Sequence, residues 1–353
     1  MTFARLPRPE RGPAPRRGRV APLFGPAADR VSVLRCGLEE DAALEFARAA
    51  ALGLADRPRW LPARYLYDAE GSRLFDRICD TPEYYLTRME AELLDSSADL
   101  ISRITGDRTL VDLGAGSARK TERLLEAYTR AYGAARYVPV DVSGDALLDT
   151  ARALASRHPA VSIRGVHGTY DAAFPLLERL SPLMLLFLGS TIGNLNQTEA
   201  AMFWTQVRQA LKPGDYVLLG VDLMKDRRII NAAYNDAAGW SAAFTKNIFA
   251  RMNRELGSAI DLDAIDHEAS HRSAWRRVEI FARMTRRQRI YLAPLELTLT
   301  LERGERVMTE ISRKFELTDL DTYLRWFSLD VVRTLSDPEQ WYALLLLRRI
   351  GGG

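Results

Sequence analysis

Asp112 stands two residues ahead of a glycine pair, Gly114 and Gly116, and Asp141 follows the second glycine by 25 residues. Glycines let a backbone turn sharply and let a ligand approach with no Cβ in the way. Arg119 occupies the place where a G-x-G-x-x-G fingerprint would put its third glycine. That departure argues against a dinucleotide pyrophosphate seated on the next helix. An acid just before the turn suits a ligand bearing an ammonium group instead. A second acid at the spacing of Asp141 is near the distance at which a carboxylate grips ribose hydroxyls. S-adenosylmethionine carries an ammonium, a sulfonium and a ribose, and so meets both demands.

Other polar residues have two readings each. Asn194, in the glycine-containing segment Gly189 to Asn196, offers an amide to a carboxylate or ammonium, or simply makes a tight turn. Tyr84 and Tyr85 lie in a proline-bounded turn, where rings either pack on a helix or face a ligand. Glu310 and Ser312 are two apart and share a strand face; taken alone they read as a surface ladder. His267-Glu268-Ala-Ser-His271 matches H-E-x-x-H, yet its polar flanks give no buried helix and no third ligand. Surface histidines ahead of a strand are expected there, and no metal.

The elements that must hold these residues follow from periodicity. Apolar runs at 110–113, 137–141, 161–166, 183–188 and 216–222 read as strands. Helical segments separate them, at 117–132, 144–157, 171–180 and 198–211, which is a doubly wound α/β pattern. Such sheets bind ligands along the carboxyl edge of their strands. Helices are also expected at 41–55, capped by Asp41, at a short segment capped by Ser72, and to about 104. After Asp222 the alternation stops. Phe244, Ile248, Met252 and Leu256 form one helical stripe, and strands follow between 275 and 315. This is the pattern of an inserted α+β unit. Runs at 331–335 and 341–347 then read as an antiparallel pair. Five parallel strands closed by such a pair form the class I methyltransferase architecture.

Composition narrows the function classes. The chain has 353 residues, 47% hydrophobic and 27% charged, with a net charge of +3. Residues 1–35 hold eight arginines against Glu10 and Asp29, a balance of +6, which leaves −3 for the remainder. The folded part is therefore not basic, and a nucleic-acid partner loses its electrostatic footing. The Pro/Arg-rich tail is expected to be disordered. No apolar run reaches the ~18 residues of a membrane span. Two cysteines without metal-like spacing, Cys36 and Cys79, suit a reducing cytoplasm.

The chain resembles the histidine Nα-methyltransferases of ergothioneine biosynthesis over about residues 57–348. The resemblance is carried by Tyr67-Asp-x-x-Gly-Ser72, Pro82-Glu-Tyr-Tyr-x-Thr-Arg88, Leu188-Gly-Ser-Thr-Ile-Gly-Asn194 and Met308-Thr-Glu310-Ile-Ser312. It implies a class I, Rossmann-like S-adenosylmethionine-dependent enzyme, monomeric and cytoplasmic, that trimethylates L-histidine to hercynine. Gly114, Gly116, Lys120 and Asp141 would bind the donor, with Tyr67, Thr169 and Tyr170 beside it. Tyr84, Asn194 and Tyr234 would hold the amino acid, with Tyr67, Asn194 and Tyr234 at the reacting end. Glu310 and Ser312 would read the imidazole, and Ile280 would line its pocket. Thr169 stands where the family usually has an aspartate, and Ile280 where it often has a methionine. The domains implied are a 1–35 tail, 36–95 helices joining the acceptor side, a methyltransferase domain of 96–224 and 317–353, and an inserted acceptor-binding unit of 225–316. Related readings keep the chemistry but change the acceptor to tryptophan or a modified tryptophan, or keep donor binding without turnover, as in a regulatory module.

Overall fold

The computed structural model describes residues 30–37, 41–116 and 118–351. β1 (Val31–Arg35) is followed by α1 (Ala42–Ala55), whose first turn is capped by the Asp41 carboxylate accepting from the Leu44 N–H at 2.9 Å. β2 (Arg59–Trp60), α2 (Ala69–Cys79) and α3 (Leu86–Thr105) complete the N-terminal part. The chain then alternates strictly: β3 (Thr109–Leu113), α4 (Glu122–Tyr132), β4 (Ala135–Asp141), α5 (Gly144–Arg157), β5 (Val161–His167), α6 (Tyr170–Leu177), β6 (Leu183–Phe187), α7 (Gln197–Ala210) and β7 (Tyr216–Asp222).

These strands and two later ones form a single sheet in the order β1-β5-β4-β3-β6-β7-β14-β13. β3 to β7 run parallel, whereas β14 (Tyr342–Arg349) pairs antiparallel with both β7 and β13 (Leu329–Ser336). The order reverses at β3, so the crevice beyond its carboxyl end is the natural ligand position. This is the class I methyltransferase fold. β3, β6 and β7 are buried along their whole length, as parallel strands covered by helices on both faces must be. One core face packs Leu110, Leu124 and Tyr128 under the helices, and the other packs Val111, Phe187 and Trp204.

Between β7 and the C-terminal pair lie α8 (Arg227–Ala233), α9 (Trp240–Leu256), β8 (Ile265–Arg272), β9 (Arg277–Met284), β10 (Gln288–Leu292), β11 (Leu297–Leu301), β12 (Arg306–Arg313) and α10 (Leu317–Arg325). β8, β9 and β12 form a second sheet, which β2 extends by pairing with Val307 and Met308. The stripe Phe244, Ile248, Met252 and Leu256 of α9 is buried, as its spacing requires.

Four expectations change. Residues 31–35 are not a loose tail: Val31 pairs with Ile163 and Arg35 with His167, adding a parallel edge strand. Averaged composition hides a strand that only a sheet edge stabilises; residues 1–29 lie outside the described residues. Asp68, not Ser72, caps α2, accepting from the Gly71 N–H at 2.7 Å, so that helix starts a turn earlier. α4 begins at Glu122 rather than 117, because Gly114, Gly116 and Ala118 all take positive φ and carry the chain around the turn first. The H-E-x-x-H segment is itself strand β8, and its histidines are not on the surface. Four residues of strand separate them by roughly 13 Å, too far for one metal ion. His271 is buried, and His267 is clamped between Thr245 (2.8 Å) and the Tyr234 carbonyl (2.9 Å).

Candidate active site

The carboxyl ends of β3 to β7 converge on one edge. Gly114 follows β3 with φ +74, a conformation that side-chain-bearing residues rarely adopt. A Cβ there would come within 2.8 Å of the Tyr170 hydroxyl. Backbone and phenol thus face each other across a space that only glycine leaves open. Asp141 closes β4; its carboxylate accepts from the Gly116 N–H at 3.1 Å and from the Ser143 N–H at 3.0 Å. Thr169 caps α6 by accepting from Ala172 N–H at 3.4 Å, which commits its hydroxyl to the helix. Tyr170 is the member of that pair that reaches the turn. Asp112 is buried and accepts from Thr121 (2.6 Å) and Tyr137 (2.8 Å); burial pushes its carboxyl up. A bare, left-handed glycine turn between two acids fits a cationic nucleoside donor.

Lys120 reaches the same edge and forms an ion pair with Glu90. Burial works against the lysine charge, but the attraction and hydrogen bond of Glu90 prevail and hold it above the usual lysine range. Glu90 is fully buried and also accepts from Gly189 N–H (2.7 Å) and the Tyr342 hydroxyl (2.6 Å). It joins α3, the glycine turn, the loop after β6 and β14. Sequence reasoning passed over Glu90; the one signal for it is its place on the stripe Leu86, Glu90, Leu94 and Ile101, which α3 buries.

The second sheet faces this edge through β12. Asn194, in a short turn after β6, donates to the Glu310 carboxylate at 3.2 Å. Burial pushes Glu310 up to about 7 against the pull of Lys314 and Asn194. Ile280 is buried directly across the strand pair from Glu310. Ser312 and the Tyr234 hydroxyl are 2.7 Å apart. Tyr84 meets Tyr234 edge-on at 6.1 Å, and Tyr67 packs edge-on against Phe244 at 5.2 Å. Burial, then the nearby Glu310, raises Tyr67 well above the ordinary phenol value, so it is a neutral hydroxyl. Every residue anticipated for the acceptor therefore belongs to one aromatic-walled cluster around Glu310.

Residues 46–349 match the family described as histidine-specific methyltransferase, SAM-dependent. The chain belongs to this family of SAM-dependent, histidine-specific methyltransferases. It is 37% identical to the histidine N-alpha-methyltransferase of Mycolicibacterium smegmatis over 310 residues, 88% of this chain and 97% of that protein. It is 38% identical to the histidine N-alpha-methyltransferase of Mycobacterium tuberculosis over 318 residues, 90% and 99% of the two chains. The ergothioneine biosynthesis protein 1 of Neurospora crassa is 36% identical over 207 residues, 57% of this chain and 24% of the fungal one. In this methyltransferase the glycine-turn edge and the facing second sheet are the two halves of the candidate site. Among the described residues no helix is long and apolar enough to cross a membrane, and no group of three His, Cys, Asp or Glu could hold a metal ion.

The sequence did not point to the buried charges beneath the acceptor cluster. Asp222 and Lys314 are both fully buried and pair at 2.7 Å. Lys225 pairs with the other Asp222 oxygen, and the Tyr85 hydroxyl donates to Asp222 at 2.8 Å. The available signal was alternation: Lys314 continues the face of Glu310 and Ser312.

Proposed function

We propose that this methyltransferase converts L-histidine, by three successive Nα-methylations, into hercynine. The observation that carries the reading is the half-buried Glu310 carboxylate, which faces the glycine-turn edge and takes an amide donor from Asn194. A carboxylate this desolvated gains from a further donor, and an imidazole N–H is one that histidine supplies. The proposed roles are as follows. Gly114, Gly116, Lys120 and Asp141 hold the donor, with Asp141 at its ribose and Tyr170 beside it. Asn194 and Tyr234 hold the α-carboxylate and amine end, Ser312 assists at the ring, and Ile280 backs the ring.

The donor supplies an electrophilic methyl group. The protein must aim a neutral amine along the sulfur–methyl axis at ~3–3.5 Å. The free amine is largely protonated near neutral pH, so each transfer requires a proton to leave. In this reading the Tyr67 hydroxyl takes up that proton in a relay. Each step leaves a bulkier cationic nitrogen, and the rings of Tyr67, Tyr84 and Tyr234 offer faces that tolerate one. In this reading 225–316, with the N-terminal helices of 36–95, is the acceptor-binding unit, and 96–224 with 317–353 is the donor-binding domain. The enzyme works as a monomer in the cytoplasm, in keeping with free Cys36 and Cys79.

Product mass spectrometry with histidine, tryptophan and the donor tests the proposal. A histidine product heavier by three methylene units is expected. Methylation of tryptophan alone would overturn the choice of acceptor, and arrest after one methyl group the degree of transfer.

A further inference from the structure

The Lys314 ammonium has three N–H donors, and the structure finds three acceptors for them. These are Asp222 at 2.7 Å, the Tyr234 hydroxyl at 2.8 Å and the Ser312 hydroxyl at 2.8 Å. The lysine is fully buried. Tyr234 and Ser312 also contact each other at 2.7 Å. Their protons can then be counted. Each hydroxyl oxygen accepts from the lysine, so neither hydroxyl proton can point at the ammonium. One proton fills the contact between the two oxygens. The other has no acceptor within the cluster.

We propose that Lys314, anchored by Asp222, is a positioning residue that fixes the polarity of the Tyr234–Ser312 pair, so that the pair presents one O–H donor to the acceptor amino acid. This rests on the acceptor site assigned above. The consequence is chemical selectivity. With Tyr234 donating to Ser312 and Ser312 donating outward, a pair locked in this way recognises a lone pair, that of the unprotonated ring nitrogen of the acceptor. It rejects a second N–H aimed at it. Glu310 on the same strand face is an acceptor, so the two devices together ask for one donor and one lone pair from the ligand. An imidazole has both in its neutral form; an indole lacks the ring lone pair.

The device also has a mechanical root. The strand that carries it continues into main-chain bonds with the end of β7: Phe315 N–H donates to the Asp222 carbonyl at 2.9 Å, and Met224 N–H to the Phe315 carbonyl at 3.0 Å. Lys314 therefore cannot slide relative to Asp222 without breaking the junction between the two sheets.

A double-mutant cycle tests the role, using Lys314→Met, Ser312→Ala and the pair of changes in the full-length enzyme. Histidine KM and kcat are read from initial rates, and donor affinity from calorimetry. The expected result is a rise of about tenfold or more in histidine KM for Lys314→Met. Donor affinity should stay within about threefold, and the double mutant should lose little beyond the worse single mutant. Tryptophan, with no ring lone pair, should lose less than histidine. Additive losses would overturn the proposal, as would an unchanged histidine KM or a parallel loss of donor affinity, which marks a merely structural lysine. If Lys314→Met does not fold because Asp222 is left unpaired, Lys314→Met combined with Asp222→Asn, which removes both members of that ion pair, replaces it under the same criteria. If the unmodified enzyme fails to methylate histidine, the acceptor assignment itself falls, and this inference with it.

Discussion

Replacing Glu310 isolates its proposed ring-reading role from everything else at the site. Glu310→Ala removes the carboxylate but leaves the glycine turn, Asp141 and Lys120 untouched, because those groups hang from the other sheet. A hydrogen bond to a charged group contributes about 1.5–3 kcal/mol. At ~1.4 kcal/mol per tenfold, kcat/KM for histidine should fall by roughly 10- to 150-fold. Donor affinity should not move, and Asn194, released from Glu310, finds water. The pH profile adds a second readout. Glu310 sits at about 7 instead of its usual 4.5. The unmodified enzyme should therefore lose histidine kcat/KM on the acidic side as pH falls through about 7, where the carboxylate becomes a donor. Glu310→Gln should remove the Glu310 share of that limb and leave only the protonation of the histidine ring itself, at about 6.5. Rates of S-adenosylhomocysteine release, measured against histidine concentration across this range, supply both numbers. Histidine turnover within about twofold of normal in Glu310→Ala would refute the assignment of Glu310 to the ring.

The same carboxyl gives a stability prediction of opposite sign. The native state keeps the Glu310 proton up to about 7 whereas the unfolded chain releases it near 4.5, so stability falls as pH rises through that window. Glu310→Gln should flatten this loss and stabilise the ligand-free protein at pH 8 by up to about 3 kcal/mol; urea titrations at pH 5 and 8 that show equal differences would contradict it. Glu90→Ala strips three segments of their common acceptor and leaves Lys120 unpaired, at a cost on the order of 3 kcal/mol. A loss under about 1 kcal/mol in denaturant unfolding would mean that Glu90 is not the hub described. Gly114→Ala should cost roughly 1–2 kcal/mol for its positive φ and weaken donor binding through the Tyr170 contact. Unchanged calorimetric affinity would show that the turn does not face the donor. Asp141→Asn should weaken the donor by about tenfold or more while histidine KM, measured at saturating donor, holds; a change confined to histidine would reverse the two roles.

Much of the architecture could be read from the residues, for identifiable reasons. β3 to β7 are short apolar runs between turn signals, and a parallel sheet buried on both faces writes itself that way. The glycine turn and Asp141 were legible because both lie at strand ends, where spacing along the chain nearly determines position in space. Glu310, Ser312 and Asn194 were recognisable through the family resemblance; their mutual contact is between residues 116 apart in the chain, which periodicity does not encode. Lys314, Asp222, Lys225 and Glu90 escaped because an isolated charge reads as solvent-exposed until its partner is known. β2 escaped because two residues are too few to carry a pattern, and β1 because its apolar residues Val31, Val33 and Leu34 lie between arginines at the end of a Pro/Arg-rich stretch; both pair with strands far along the chain. β8 looked polar because its side chains serve as clamps, as His267 does for the Tyr234 main chain.

The splice of the two sheets at Phe315 bears on how ligands come and go. Its two main-chain bonds are reinforced by a buried ion pair, so that corner cannot serve as a hinge that opens. On the far margin, β2 meets β12 through only two residue pairs, and the following segment carries Tyr67 and Tyr84 against their neighbours by ring edges. Any exchange of ligands must therefore leave β12 fastened to the central sheet at the Phe315 corner.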